Sequence, residues 1–162
     1  MQLTRDKFIP CIDKTKGVTP GTYEWVRICK STVFDFAFNP ATEERSFICD
    51  KNNSTEITGY APSMEQEVIL DNTDELYKFM DEFLHEYPTG SDAEIPVLLV
   101  RPALVSGEPT AGEVWEHAVI SAGSINSVDG KLTFTINFNG DPIKGTVAIS
   151  QGKVTFTPSE AA

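Results

Sequence analysis

A mainly β domain, a sandwich or barrel with one helix packed on it, is the fold class this sequence predicts, and three observations predict it. Short stretches of alternating apolar and polar residues recur along most of the chain. Gly, Pro, Asn and Asp punctuate them at turn positions. One stretch alone, Asn72–Tyr87, carries apolar residues at helical spacing. The length of 162 residues suits one domain with a real core.

Residues 1–22, with Pro10, Gly17, Pro20 and Gly21, have weak periodicity and predict an extended N-terminal arm, leaving 23–162 as a single β-sandwich domain. Such an arm finds its order on a neighbour. Tyr23–Cys29 and Thr32–Phe38 read as strands, and Phe34, Phe36 and Phe38 share one face of the second. Asn39-Pro40-Ala41-Thr42 is turn chemistry, with Arg45–Asp50 expected to return as the partner strand and Lys51–Ser54 as a loop. Thr55–Leu70 is a long extended stretch broken at Pro62.

In the helix, Asn72 is the expected cap and Glu75 completes a capping-box arrangement. Leu76, Met80, Phe83, Leu84 and Tyr87 form its apolar stripe, and Pro88 with Gly90 stops it. Ile95–Arg101 reads as a buried strand, Gly107–Gly112 as a loop, and Glu113–Ala122 as a strand with Trp115, His117 and Val119 on one face. Leu132, Phe134, Ile136 and Phe138 then alternate with Thr133, Thr135 and Asn137. Turns at Asn139–Pro142 and Gln151-Gly152 predict that Ile143–Ser150 and Lys153–Thr157 complete a meander.

The net charge of −11 is unevenly spread. Residues 39–94 hold 14 acids and 3 bases, whereas residues 1–30 hold 6 bases and 3 acids. A basic end and an acidic middle can attract one another between copies. Lys14, Lys16, Arg27 and Lys30 on one side, and Glu43 and Glu44 at a hairpin on the other, are the candidate subunit-interface residues. Simple solubility is the competing explanation of the charge.

Cys11, Cys29 and Cys49 match no zinc or redox spacing, and an odd count leaves a thiol unpaired; reduced cysteines are expected. The first residues carry Arg5, Asp6 and Lys7 with no apolar run behind them, which predicts no signal peptide and synthesis in the cytosol. The apolar runs are too short to span a bilayer.

The chemistry of catalysis is hard to find. His85 and His117 lie in no metal-ligand spacing, and no serine sits in a nucleophile elbow. No phosphate-cradling glycine loop occurs, and no basic, aromatic-interleaved stripe marks a nucleic-acid reader. Glu65 with Glu67, or Glu113 with Glu116, are the acid pairs a glycosidase would need, but nothing in the sequence singles out a desolvated one. The expectation is no enzyme, no cofactor and no metal.

Three stretches carry a family likeness: Phe36–Glu44 running through Phe47–Asp50 into Thr55–Glu67; the helix Asp74–Tyr87 with the following strand Ile95–Arg101; and Phe138–Val147. In this order and at this length the chain resembles the major tail (tail tube) proteins of siphophages over roughly residues 30–150. The resemblance implies hexameric rings that stack into a hollow tube for DNA passage. It also implies contacts with tape measure, tail terminator and distal tail proteins, and residence in the virion tail after synthesis in a bacterial cytoplasm. The inner tube of a contractile injection or type VI secretion-like system shares that fold and stays open as an alternative. So, more distantly, does a carbohydrate-binding β-sandwich module, which would expose Trp25 or Trp115 as a platform.

Overall fold

The computed structural model describes residues 2–19, 21–105 and 108–159. Pro20 and Gly107, which entered the arm and loop readings, lie outside the described residues. Among the described residues there are twelve strands and one α-helix in the order β1 (Ile9–Asp13), β2 (Trp25–Arg27), β3 (Asp35–Ala37), β4 (Pro40–Arg45), β5 (Ser54–Tyr60), β6 (Ser63–Ile69), α1 (Glu75–His85), β7 (Val97–Arg101), β8 (Thr110–Trp115), β9 (Val119–Asn126), β10 (Lys131–Asn137), β11 (Ile143–Ser150) and β12 (Lys153–Pro158). The mainly β class with one flanking helix is what the sequence predicts.

The strands form a six-stranded antiparallel sheet of order β12-β11-β8-β7-β1-β2, a four-stranded sheet of order β3-β6-β10-β9, and a separate ribbon of β4 and β5. The six-stranded sheet curls, so that its edges β12 and β2 approach each other. Two cores result. One lies between the sheets and under α1, with Ile12, Val97, Leu99, Met80, Phe83 and Phe134 among its members. The other fills the inside of the curl, with Ile9, Cys11, Leu98, Val100, Val114 and Val147. Alternate residues of β7 therefore enter opposite cores, which is why Pro96–Val100 reads as a continuous apolar run.

That two-sided burial corrects the reading of residues 1–22. Ile9–Asp13 is an internal strand, buried at every position and paired with both β2 and β7. Five residues that include Pro10 and run into the turn at Gly17 are too short to show a period, and a strand with both faces covered shows none. Asp13, fully buried, then shapes the following loop: its carboxylate accepts from the backbone N–H of Thr15 at 3.0 Å, Gly17 at 2.9 Å and Glu24 at 3.0 Å, and from the Thr15 hydroxyl.

Other boundaries also shift. Pro40–Arg45 is itself a strand whose partner is Ser54–Tyr60, so the hairpin tip is the segment 46–53 rather than 39–42. The cap of α1 is Asp74, not Asn72; Asp71 instead closes a turn by accepting from the Thr73 N–H and hydroxyl. Leu76, Met80 and Phe83 are buried as expected, while Tyr87 lies outside the helix and is exposed, with φ of 52°. Glu113–Ala122 is broken at Glu116–Ala118, and its halves belong to different sheets. Asn139–Pro142 likewise carries the chain from one sheet to the other, so β10 and β11 do not pair, although β11 and β12 do.

Candidate assembly surface

The four-stranded sheet ends on one side in β9, whose sequence Val-Ile-Ser-Ala-Gly-Ser-Ile-Asn has no charge and no proline. Its first residue bridges to Glu94, and positions 121–126 are exposed. A long uncharged edge offers unpaired backbone N–H and C=O groups to another strand, and monomeric proteins generally blunt such edges with lysine, proline or cover. The six-stranded sheet is blunted in that way: its edge β12 carries Lys153 and Pro158 and faces β2.

The outward face of the four-stranded sheet is polar. Paired rows place Asp35, Glu65, Thr135 and Ser121 side by side, with Glu67, Thr133 and Ser124 in the next row. The one base on this face of the paired strands, Lys131, donates to Glu67 at 3.2 Å. That bond and one from the Thr32 hydroxyl hold the Glu67 carboxyl below its usual pKa.

The β4–β5 ribbon projects from the body. Each strand pairs only with the other, and every residue of β4 is exposed. At its tip Ile48 is fully exposed and Phe47 more than half exposed, side by side with the exposed thiol of Cys49. Of these two adjacent large apolar side chains on the hairpin tip, Ile48 buries nothing in its own chain and Phe47 buries less than half of its surface.

Between the sheets, on the β2 and β3 side, lies a cleft of about 1060 Å³. It is open because β3 is only three residues long and leaves the inter-sheet core uncovered. Phe8, Phe34, Phe36 and Phe38 supply apolar wall, and the Phe8 and Phe34 rings pack at a tilt with centroids 5.6 Å apart. Gln66 occupies an inward position of β6 between Met64 and Val68 and is 1% exposed. Neither its Oε1 nor its Nε2 meets a hydrogen-bond partner among the described residues. An unpaired buried polar group costs about 1–3 kcal/mol, so it calls for a partner.

The candidate interface residues from the charge pattern are placed differently from what the sequence suggests. Lys14 Nζ lies 2.8 Å from Glu75 Oε1, at the start of α1, and this bond raises the Lys14 pKa. Lys16 Nζ lies 3.4 Å from Glu86 Oε2, past the helix end, and 5.3 Å from the Phe83 ring centroid, a cation–π contact. Lys30 pairs with Asp71. Three of the four bases thus already hold an acid of their own chain, which corrects the expectation of a free basic arm. Arg27 has no ion pair among the described residues: its guanidinium makes a 3.5 Å contact with the Asp6 carbonyl, and it lines the cleft. Glu43 is 3.3 Å from Arg45 within the ribbon, and Glu44 is exposed with no ion pair among the described residues.

Gln66, Phe47 and Ile48 escaped the sequence reading as site residues. Gln66 could have been found as the one amide in an otherwise inward apolar row. Trp115 is buried in the inter-sheet core and Trp25 packs against the inner core, so neither forms an exposed sugar platform. Among the described residues no group of three or more His, Cys, Asp or Glu side chains is arranged to hold a metal ion. No helix is long and apolar enough to cross a membrane.

No protein-family model matches the chain, and no curated protein matches it in sequence. Among solved structures the chain is similar to one from the cryo-EM structure of the anti-feeding prophage baseplate, with a TM-score of 0.47 and 12% identity, covering 89% of this chain and 95% of that one. It is also similar to one from the tube-terminating cap of the anti-feeding prophage, with a TM-score of 0.45 and 12% identity, covering 98% of this chain and 93% of that one.

Proposed function

We propose that this chain is a structural subunit of a phage-type tail tube, acting by self-assembly rather than by catalysis. The observation that carries the reading is the uncharged, proline-free edge of β9. An edge of this kind is a liability to a monomer and an asset to a subunit whose neighbour pairs with it. The projecting β4–β5 ribbon is a second element that gains burial only from another molecule.

In the ring this reading describes, β9 of one copy meets the short β3 edge of the next, and six copies close a barrel. The polar outward face of the four-stranded sheet then lines the channel. Its carboxylates and hydroxyls, with the Lys131 charge already engaged, suit the passage of DNA. A basic lining would instead trap phosphate through counterion release. The three sequence stretches that resemble siphophage tail tube proteins support the same reading and supply the six-fold count.

Negative-stain microscopy with sedimentation analysis tests it. Concentrated protein is expected to form rings or hollow filaments of one diameter. A species that stays monomeric at high concentration across a range of salt overturns the reading.

A further inference from the structure

We propose that the tip of the β4–β5 ribbon, Phe47–Cys49, seats in the inter-sheet cleft of a second copy of the chain, over the buried amide of Gln66. This rests on the assembly reading above and adds a second contact between copies to the β9 edge. Tip and cleft are complementary in two respects. The tip presents two exposed apolar side chains, and the cleft presents an open apolar wall that includes Phe8 and Phe34. Backbone at a hairpin tip carries free N–H and C=O groups, and Gln66 offers one donor group and one acceptor with no partner among the described residues. Acids and bases balance on both surfaces: Glu44, Arg45, Asp50 and Lys51 flank the tip, and Arg5, Arg27 and Arg101 line the cleft with Asp6, Asp35 and Glu113.

A chain cannot satisfy its own cleft. Six residues of β4 carry the tip roughly 20 Å from Pro40, at about 3.3 Å per residue. Pro40 itself follows Phe38, at the cleft wall. The full exposure of Ile48 shows the tip standing clear of its own body. Each copy therefore has one tip to give and one cleft to fill, a head-to-tail contact that propagates along a series of copies.

Seating the tip brings Cys49 of one copy toward Cys29 of the other, because Cys29 is exposed and lines the cleft. Cys11 is buried, and burial pushes its thiol up to about 12. Diamide converts a close thiol pair to a disulfide, taking two electrons and two protons and being reduced to the hydrazine. Applied to the assembled protein, it is expected to give a non-reducing gel ladder of dimer, trimer and higher species. Cys29→Ser and Cys49→Ser each abolish the ladder, and Cys11→Ser leaves it. Ile48→Asp, at a side chain that touches nothing in its own chain, abolishes it without altering the monomer's melting. Gln66→Leu leaves the monomer at least as stable but weakens association roughly 5- to 10-fold, the loss of about one net hydrogen bond.

A product that stops at dimer and survives Cys29→Ser means tips meeting tips, and overturns the proposal. So does wild-type association by Gln66→Leu or Ile48→Asp. Rings or tubes in micrographs without a Cys29-to-Cys49 link overturn the docking while leaving the assembly reading intact. Neither tubes nor links overturn both.

Discussion

The two sheets handle their edges in opposite ways. The six-stranded sheet curls until β12 and β2 guard one another, and its β12 edge carries a lysine and a proline. Its middle strands β1 and β7 are buried on both faces. The four-stranded sheet buries one face, leaves a polar face outward, and ends in a strand of eight residues that is uncovered from Ser121 to Asn126. Stability and assembly are thereby separated: the closed sheet holds the subunit together, and the open one is free to join subunits. If that division holds, substitutions in the closed sheet and shared core should cost folding free energy, and substitutions at the open edge should cost assembly alone.

The largest expected effect is in the shared core. Phe83, 1% exposed and facing the sheets from α1, should cost about 3–5 kcal/mol as Phe83→Ala in denaturant melts. A change below about 1 kcal/mol would mean that the helix does not seal this core. Next comes the closed sheet. A Cβ at Gly145 would run into the Thr157 carbonyl and the Pro158 Cα, both backbone atoms of the paired strand β12. Gly145→Ala should therefore destabilise by about 1–3 kcal/mol, because β12 must shift to admit a methyl group. Wild-type melting would show that β12 is loosely held and that the curl does not guard this edge.

At the open edge the signs should reverse. Ser121 lies on the outward face of β9 and is exposed. Ser121→Lys should change monomer stability by no more than about 0.5 kcal/mol. It should nevertheless suppress rings and filaments in micrographs, since an added edge lysine discourages strand pairing. Normal assembly by this variant would move the joining surface away from β9 and merge the roles of the two sheets.

How much of this was legible in the sequence depended on how each element is buried. β10 shows inward Leu132, Phe134 and Ile136 against polar alternates, so one buried face wrote a clear period of two. The apolar stripe of α1 was legible for the same reason. β1 was not, because burial on both faces and a length of five residues leave no alternation to read. Two of the sheet switches, after Trp115 and after Phe138, were also hidden: a turn sequence such as Asn139–Pro142 serves a crossover as well as a hairpin. Charge runs located an acidic middle but could not show that Lys14, Lys16 and Lys30 find their partners in the same chain. Those partners lie 41 to 70 residues away and meet only in the folded molecule. The tip residues Phe47 and Ile48 read as strand in the sequence, and only the ribbon's register turned them outward.

The smallest expected effect concerns the pair Lys30 and Asp71, which ties the segment after β2 to the turn before α1 at the junction of the two sheets. Bonds from Lys30 and from the Thr73 hydroxyl and N–H hold the Asp71 carboxyl well below the usual carboxylate range. A depressed carboxylate pKa contributes stability that is fully present above the unfolded value, about 3.9, and is lost as pH falls through the folded value. The Asp71 bond in turn raises the Lys30 pKa. That contribution is present below the unfolded lysine value, about 10.4, and fades as pH rises through the folded one. Asp71→Asn should therefore be slightly less stable than wild type from about pH 5 to pH 9, and the gap should close as the solution is taken below about pH 4. Because Lys30 is exposed, added salt should narrow the gap at neutral pH as well. Urea melts of the two proteins at pH 7 and pH 3, at low and high salt, measure this directly. A gap that narrows as pH falls but does not respond to salt would assign the role of Asp71 to its turn with Thr73 rather than to the ion pair.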